Sequence, residues 1–334
     1  MKTNKMKIIC FGVRDYEIPI FKRIENDYNR KLILSDLYID DTNYEIALGY
    51  DVIILRANCH LTENSLIELK NSGLKYLMTR TIGYNHIPLD ICHSLGITVA
   101  YAPGYSPSSI AELGVSLALN IIRNVPEAIN NSYNYDFRLN NRMFGREIRE
   151  CIVGIAGCGT IGKETARLYT AMGAKVLGYD IIQDESVSDF IEYCSFERLC
   201  KESDIISIHM SYDEKKNKHF FSKREFEMMK ENVVIINTAR GPLIDTESLI
   251  AFIESGKVLG AGLDVIEYEK STFFKHQSAE SIDPILRKLI SLYPKVIITP
   301  HISSSTDSAV YDSLRITMEN IYQLSNDLEC KNVL

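Results

Sequence analysis

The segment that most constrains this chain reads Cys151-Ile-Val-Gly-Ile-Ala-Gly157-Cys158-Gly159-Thr160-Ile161-Gly162, continues with Thr165, Leu168 and Met172 at helical spacing, and reaches Val176-Leu-Gly-Tyr-Asp180. An apolar, β-branched run that enters a glycine turn and leaves as an amphipathic helix specifies one strand–loop–helix unit, and that context makes the Gly-x-Gly-x-x-Gly spacing specific. Gly157 permits the turn, Gly159 lets backbone approach a pyrophosphate, and Gly162 lets the helix pack close to the strand. The helix start, with the backbone N–H groups of Cys158, Thr160 and Ile161, presents a positive dipole end to phosphates. Asp180 follows roughly twenty residues beyond the loop, where a carboxylate accepts hydrogen bonds from the adenosine ribose. A 2′-phosphate there would meet a like charge, and Ile181-Ile-Gln-Asp184-Glu185 brings no Arg or Lys, so NAD is expected rather than NADP.

At 334 residues the chain exceeds what a single core comfortably holds, which favours two domains. Short β-branched runs alternate with amphipathic helical patterns along nearly its whole length, the pattern of parallel sheets covered by helices. One set of strand candidates lies at 7–12, 51–55, 75–78 and 97–100, with a helix from Thr62 to Gly73 between. A second set of six lies at 151–156, 175–180, 204–209, 233–237, 258–264 and 296–299. The fold class is therefore α/β, with two doubly wound parallel-sheet domains and a cleft between them: a Rossmann-type NAD domain over 103–300, and a flavodoxin-like substrate domain over 1–102 completed by 301–334. Ser222-x-x-Glu225 reads as a capping box, Asp245 caps a helix running to Gly256, and Ser106-Pro107 opens a helix with Ile110, Leu113, Leu117 and Ile121 on one face. A last helical pattern from Thr306 to Leu324 has no strand of its own to cover and is expected to pack back on the first domain.

Charge and composition narrow the partners. A formal net charge of −7 with no basic block argues against nucleic acid. No run of eighteen apolar residues is present to span a membrane, and the apolar run after the basic start, Ile8 to Gly12, is too short for a signal sequence. A cytoplasmic location and a small substrate are expected. Cysteines at 10, 59, 92, 151, 158, 194, 200 and 330 form no Cys-x-x-Cys pair and read as small buried hydrophobes, and Cys59-His60 and Cys92-His93 lack further ligands, so no metal is expected.

Three segments end strands of the second set, where open parallel sheets bind ligands. Thr238-Ala239-Arg240-Gly241 brings a guanidinium, Asp264-Val-Ile-Glu267-Tyr-Glu269 brings carboxylates, and Thr299-Pro-His301 brings an imidazole. Together with Arg80-Thr-Ile82-Gly83-Tyr-Asn-His86, Tyr105-Ser-Pro and the glycine loop, they occur in an order and spacing that resembles the D-2-hydroxyacid dehydrogenase family over essentially the whole chain. Phe11-Gly-Val-Arg14-Asp and the Phe273-Phe274 pair are most similar to the branch of D-lactate dehydrogenases, 2-hydroxyisocaproate dehydrogenases and the VanH enzymes of vancomycin resistance.

The resemblance implies a catalytic set of Arg240, Glu269 and His301. A planar guanidinium at Arg240 suits a 2-oxo acid, in which a carboxylate stands beside a ketone. His301 would protonate the alkoxide formed by hydride transfer, with Glu269 favouring and orienting the imidazolium, so reduction should slow as pH rises. The family likeness further implies cofactor contacts at Thr238, Ala239 and, on the nicotinamide side, Asp264; substrate contacts at Arg14, Tyr105, Arg240 and the Ile82 and Gly83 amides; and a homodimer through the 107–123 helix. Reversible reduction of pyruvate to D-lactate is the first expectation, with 2-hydroxyisocaproate or phenyllactate chemistry and a VanH-like role as alternatives. Two departures bear on that choice. Asp180 is retained where VanH-type chains tend to lose the ribose carboxylate, and Ile302-Ser-Ser-Ser305 follows His301 where the branch usually has Thr-Ala and two aromatics. Glu269 argues against a formate dehydrogenase, whereas an NAD-sensing corepressor of the same fold stays open on sequence grounds.

Overall fold

A computed structural model describes residues 6–267 and 269–334; the start of the basic amino-terminal segment lies outside the described residues. The chain forms two compact units, Met1–Ser106 with Ser305–Leu334, and Pro107–Ser304. The chain thus passes between units a few residues beyond positions 102 and 301.

In the first unit, β1 (Ile8–Cys10), β2 (Ile33–Leu34), β3 (Val52–Leu55), β4 (Tyr76–Thr79) and β5 (Thr98–Tyr101) form a parallel sheet in the order β2-β1-β3-β4-β5. This is the flavodoxin-like order. Every residue of β3 is buried because helices cover both faces of the sheet, which is why the strand reads as an unbroken apolar run. One face packs Ile9, Phe11, Ile53 and Leu55 with Leu66 and Leu69 of the Glu63–Asn71 helix, which Thr62 and Ser65 cap. The opposite face packs Ile8, Cys10, Val52, Ile54 and Met78 against Leu314, Met318 and Ile321 of the Asp307–Ser325 helix, so the last helix does cover the first sheet. Strand β2 was not anticipated: it is two residues long and neither is buried, so it leaves no apolar signature.

The second unit carries seven parallel strands, one more than expected: β6 (Ile152–Ala156), β7 (Lys175–Tyr179), β8 (Glu192–Tyr193), β9 (Ile205–Ile208), β10 (Val233–Asn237), β11 (Val258–Leu263) and β12 (Val296–Ile298). Their order is β12-β11-β10-β9-β6-β7-β8, which contains the six-strand Rossmann order with β12 added beyond β11. The missing third strand of that order is β8, an edge pair whose Glu192 bridges Lys175 at 2.8 Å and Arg198 at 2.6 Å. A polar edge strand of this kind carries no hydrophobic pattern to read.

The Pro107–Ile122 helix lies directly on β10 and β11. Close approach depends on glycine: a Cβ at Gly262 would stand 2.7 Å from the Leu117 Cβ, and one at Gly260 would stand 2.9 Å from Ile121. The apolar face with Ile110, Leu117 and Ile121 is thereby consumed inside its own unit. The outer side of the helix keeps Glu112 and Ser116 exposed and Leu113 and Leu119 half-buried. The capping box at Ser222 and Glu225 forms as expected, and Asp245 occupies the N-cap of the Thr246–Glu254 helix. All eight cysteines are free, six of them buried, and burial pushes the Cys158 and Cys200 thiols up to about 12. Among the described residues no helix is long and apolar enough to cross a membrane.

The helix–sheet contact yields a direct test. Gly262→Ala forces a methyl group against Leu117 and is expected to lower unfolding free energy by about 1–3 kcal/mol in urea titrations. Unchanged stability would show that the helix can ride away from the sheet.

Candidate active site

The glycine loop joins β6 to the Thr160–Ala171 helix, whose N-cap is Gly159. Gly157 adopts φ +97°, and a Cβ there would stand 2.7 Å from the backbone between His209 and Met210. At Gly162 a Cβ would fall 2.0 Å from the Gly157 carbonyl. These two positions therefore require glycine on contact grounds. Gly159 differs: nothing lies within 4 Å of where its Cβ would be. Open space above a twelve-residue helix N-terminus fits the diphosphate of a dinucleotide.

Asp180, just past β7, closes on this loop. Its Oδ2 accepts the Cys158 amide at 2.6 Å and its Oδ1 the Ile182 amide at 3.0 Å. The cation of this region, Lys163, is bound by Asp184 and so is already neutralised. Ile181 and Ile182 are 89 % and 76 % exposed, an apolar surface beside Asp180 that was not anticipated from the sequence.

The other expected residues of this unit stand on the ends of β10, β11 and β12. Asn237, fully buried, ends β10 and organises the turn that follows: its Oδ1 accepts the Ala239 amide and its Nδ2 donates to the Arg240 carbonyl, both at 3.0 Å. Arg240 Nη1 donates to the Ala239 carbonyl at 2.6 Å. Gly241 then lies so close to the next strand end that a Cβ would be 2.0 Å from the Ile266 carbonyl carbon. Thr238 is buried, and its hydroxyl has no hydrogen-bond partner among the described residues.

Asp264, expected on the nicotinamide side, is tied into the protein at the end of β11. Its side chain is wholly buried, and the carboxylate accepts the Thr299 hydroxyl at 2.6 Å, the Ile302 amide at 2.8 Å and the Ser303 amide at 2.9 Å. Its carbonyl accepts the His301 amide at 2.9 Å, while its own amide donates to the Asn237 carbonyl at 3.0 Å. His301 has φ +54°, a left-handed conformation unfavourable for a residue with a side chain. The three bonds to the Asp264 carboxylate, two on Oδ1 and one on Oδ2, hold the chain on either side of His301 in that conformation.

His301 Nδ1 stands 3.4 Å from Glu269 Oε2, with the two side chains 34 % and 27 % exposed. The Glu269 oxygen is itself buried and has no hydrogen-bond partner among the described residues. The arrangement is an acceptor set to receive an imidazole N–H. A second histidine cluster was not foreseen: Glu267 accepts His219 Nε2 at 2.6 Å and the Thr246 amide at 3.0 Å, with Asp245 close by. The three side chains have the spacing of a metal-ligand set, and each is hydrogen-bonded within the protein, Asp245 by the Ser248 hydroxyl. The cluster ties the loop before Phe220 to the end of β11.

The first unit holds the remaining expected residues. Thr81 Oγ1 donates to the Gly83 carbonyl at 2.7 Å and shares a 2.6 Å contact with Thr79, which shapes the turn after β4. The amide N–H groups of Ile82 and Gly83 meet no backbone acceptor among the described residues. His86 beside them is held neutral, its pKa lowered to about 4 by burial. Arg14, half-buried after β1, donates to the Tyr16 hydroxyl, and Tyr105 is half-buried near the end of the unit's first segment.

Comparison with known proteins bears on this geometry. Residues 115–303 match the family model for the D-isomer specific 2-hydroxyacid dehydrogenase NAD-binding domain. An aromatic 2-oxoacid reductase of Clostridium sporogenes is 38 % identical over 329 residues, 98 % of each chain. A D-2-hydroxyacid dehydrogenase (NAD+) of Clostridioides difficile is 35 % identical over 326 residues, 95 % of this chain and 97 % of that one. The crystal structure of D-lactate dehydrogenase with NAD+ from Lactobacillus jensenii superposes with a TM-score of 0.90 at 32 % identity, covering 98 % of this chain and 99 % of that one.

The dual attachment of Asp180 sets up a binding measurement. Asp180→Ala is expected to weaken NADH relative to NADPH by about tenfold or more, because bonds to a charged acceptor are lost with NADH and a repulsion is relieved with NADPH. Fluorescence titration of both dinucleotides gives the ratio, and an unchanged ratio would remove Asp180 from the ribose site.

Proposed function

The chain belongs to the D-isomer specific 2-hydroxyacid dehydrogenase family and is NAD-dependent, and from that premise we propose that it reduces a 2-oxo acid with a bulky, aromatic side chain to the D-2-hydroxy acid. The observation that carries the chemistry is the His301–Glu269 pair at 3.4 Å, on the same strand-end rim as Arg240 and in the unit that holds the glycine loop.

Bound NADH supplies the hydride. Arg240 holds the carboxylate and ketone oxygen through its planar fork and stabilises negative charge as it grows on the ketone oxygen. His301 gives that oxygen its proton. Because Nδ1 faces Glu269, Nε2 is the nitrogen left to deliver it. Glu269 takes the Nδ1–H and fixes both tautomer and ring orientation. Asp264 acts through the backbone: by holding Ile302 and Ser303 it keeps His301 in its left-handed conformation. The Asp180 carboxylate and the loop amides take the adenosine end, with Ile181 and Ile182 offering an apolar surface for the base. In the first unit, the Ile82 and Gly83 amides with Arg14 and Tyr105 are assigned to the substrate's carboxylate and side chain.

Two observations favour an aromatic substrate over pyruvate. The Clostridium sporogenes relative, named for aromatic 2-oxoacids, is matched end to end at 38 % identity. The chain also places Ser304 and Ser305 where the D-lactate dehydrogenase branch usually has two aromatics, which leaves room for a larger side chain. Pyruvate is the second reading, favoured by the full-length likeness to D-lactate dehydrogenase.

We further propose a homodimer, with the arm after the Val125–Tyr133 helix as its contact. Tyr133, Tyr135, Phe137, Leu139 and Phe144 are 75–88 % exposed, a density of apolar side chains that marks an interaction surface. A second copy offers the same arm, and isologous pairing would cover both at once.

Turnover and mass measurements test these readings. NADH oxidation across phenylpyruvate, 2-oxoisocaproate, 2-oxobutyrate, pyruvate and oxaloacetate, with chiral analysis, should give the highest kcat/KM with phenylpyruvate and a D product. A preference for pyruvate would reject the aromatic reading, and failure of every 2-oxo acid would reject the chemistry. In the same assay His301→Gln should cut kcat by about 10²–10⁴-fold while NADH binding is kept, and equal loss of both would contradict proton transfer. Light scattering should return about twice the 38.0 kDa chain mass for the wild type and the single mass for Leu139→Asp. A dimeric variant would rule out the arm.

A further inference from the structure

A buried charge cluster in the first unit has no role in the chemistry above. Arg80 grips Glu17 with both Nη atoms, at 3.0 Å to Oε1 and 2.9 Å to Oε2. Arg56 Nη1 reaches the same two oxygens at 3.1 and 3.3 Å, and the Arg14 amide donates to Oε2 at 2.9 Å. Both guanidiniums also donate to the Gly12 carbonyl, at 3.1 Å from Arg80 and 3.4 Å from Arg56. The cluster therefore ties together the loops after β1, β3 and β4, three neighbouring strands, at the carboxyl edge of their sheet. Arg80 is the residue immediately before Thr81-Ile82-Gly83.

Its charges do not balance. The Arg80 and Glu17 side chains are 4 % and 1 % exposed and Arg56 is 21 % exposed, so two guanidiniums face one carboxylate. Burial opposes ionisation of Glu17, yet the bonds and charge of Arg80, then Arg56, hold it below the usual carboxylate range. The other ionisable groups around the two guanidiniums are a thiol and phenols, Cys10, Tyr38 and Tyr105, together with Arg14. A purely structural clasp would need only the two-bond Arg80–Glu17 pair. Arg56 adds desolvation and repulsion from Arg80, which is unfavourable for packing unless an anion arrives to meet the surplus charge. Arg80 Nε is also buried without an acceptor among the described residues, and the guanidinium lies 5.4 Å over the Phe21 ring.

We propose that Arg56 and Arg80 form an electrostatic seat that draws and orients the carboxylate of the incoming 2-oxo acid at the Ile82 and Gly83 amides, with Arg56 as the cation that sets anion affinity and Glu17 as the residue that positions it. This rests on the reading that those amides meet the substrate's carboxylate. A field from a fixed cation acts on binding more than on the chemical step, and salt screens it.

The test uses the full-length enzyme with phenylpyruvate, or whichever 2-oxo acid the panel selects. Arg56→Gln is expected to raise KM by about three- to tenfold with kcat and NADH affinity within about twofold, and to flatten the fall of kcat/KM between about 20 and 300 mM NaCl. Arg56→Lys, which keeps the charge, should restore both KM and the salt slope. An unchanged KM in Arg56→Gln, a salt slope that does not flatten, or the same KM increase in Arg56→Lys would overturn the proposal, the last by showing that geometry rather than charge matters. Should Arg56→Gln fail to fold, Arg56→Met carries the same measurement. A wild type that reduces no 2-oxo acid would instead sink the functional reading, so the two failures are separable.

Discussion

The buried carboxylate of Asp264 is the constraint on which the rest of the rim depends. A carboxylate removed from water must be satisfied inside the protein, and here the partners are one hydroxyl and two amides from the chain beyond β12. Those bonds bring the segment after Pro300 back over the end of β11 and force His301 into a left-handed backbone that a histidine would not adopt alone. On the adjacent strand Asn237 has the corresponding role, using its amide to shape the Ala239–Arg240 turn. The backbone bond from Asp264 to the Asn237 carbonyl joins the two. A guanidinium and an imidazole more than sixty residues apart in sequence are thereby fixed by one run of hydrogen bonds across three strand ends.

Much of the architecture was legible because it is written in local signals. The glycine loop, the unbroken apolar strands, the helix start at Thr62 and the capping box at Ser222 each depend on neighbours within a few residues. What escaped was either too short or too dispersed. Strands β2 and β8 are two residues each, exist because a longer strand already lies beside them, and bury little. The roles of Asn237, of Glu267 with His219, and of Glu17 with Arg56 and Arg80 rest on contacts between distant segments, which periodicity cannot register. Asp264 was visible as a strand-end carboxylate, yet its identity alone does not show that it also fixes the chain after β12.

The apolar residues at 133–144 show the same limit from the opposite side. Their composition suits a buried element, and the Pro107–Ile122 helix nearby has a comparable apolar content. One is sealed by Gly260 and Gly262 beneath it, and the other is left in solvent. Hydrophobicity identifies surface that will be covered, whereas the space available beneath decides whether the cover comes from the same chain.

The contact of Gly241 with Ile266 carries a mechanical consequence. With no side chain between them, the Arg240 turn and the segment leading to Glu269 touch backbone to backbone, and Asp264 couples the same segment to His301. The backbones that carry Arg240 and His301 cannot swing independently without breaking that contact or stranding a buried carboxylate. They form one stiff platform, so whatever motion admits reactants and releases products must leave this rim intact and take place in stretches of the chain that it does not clamp.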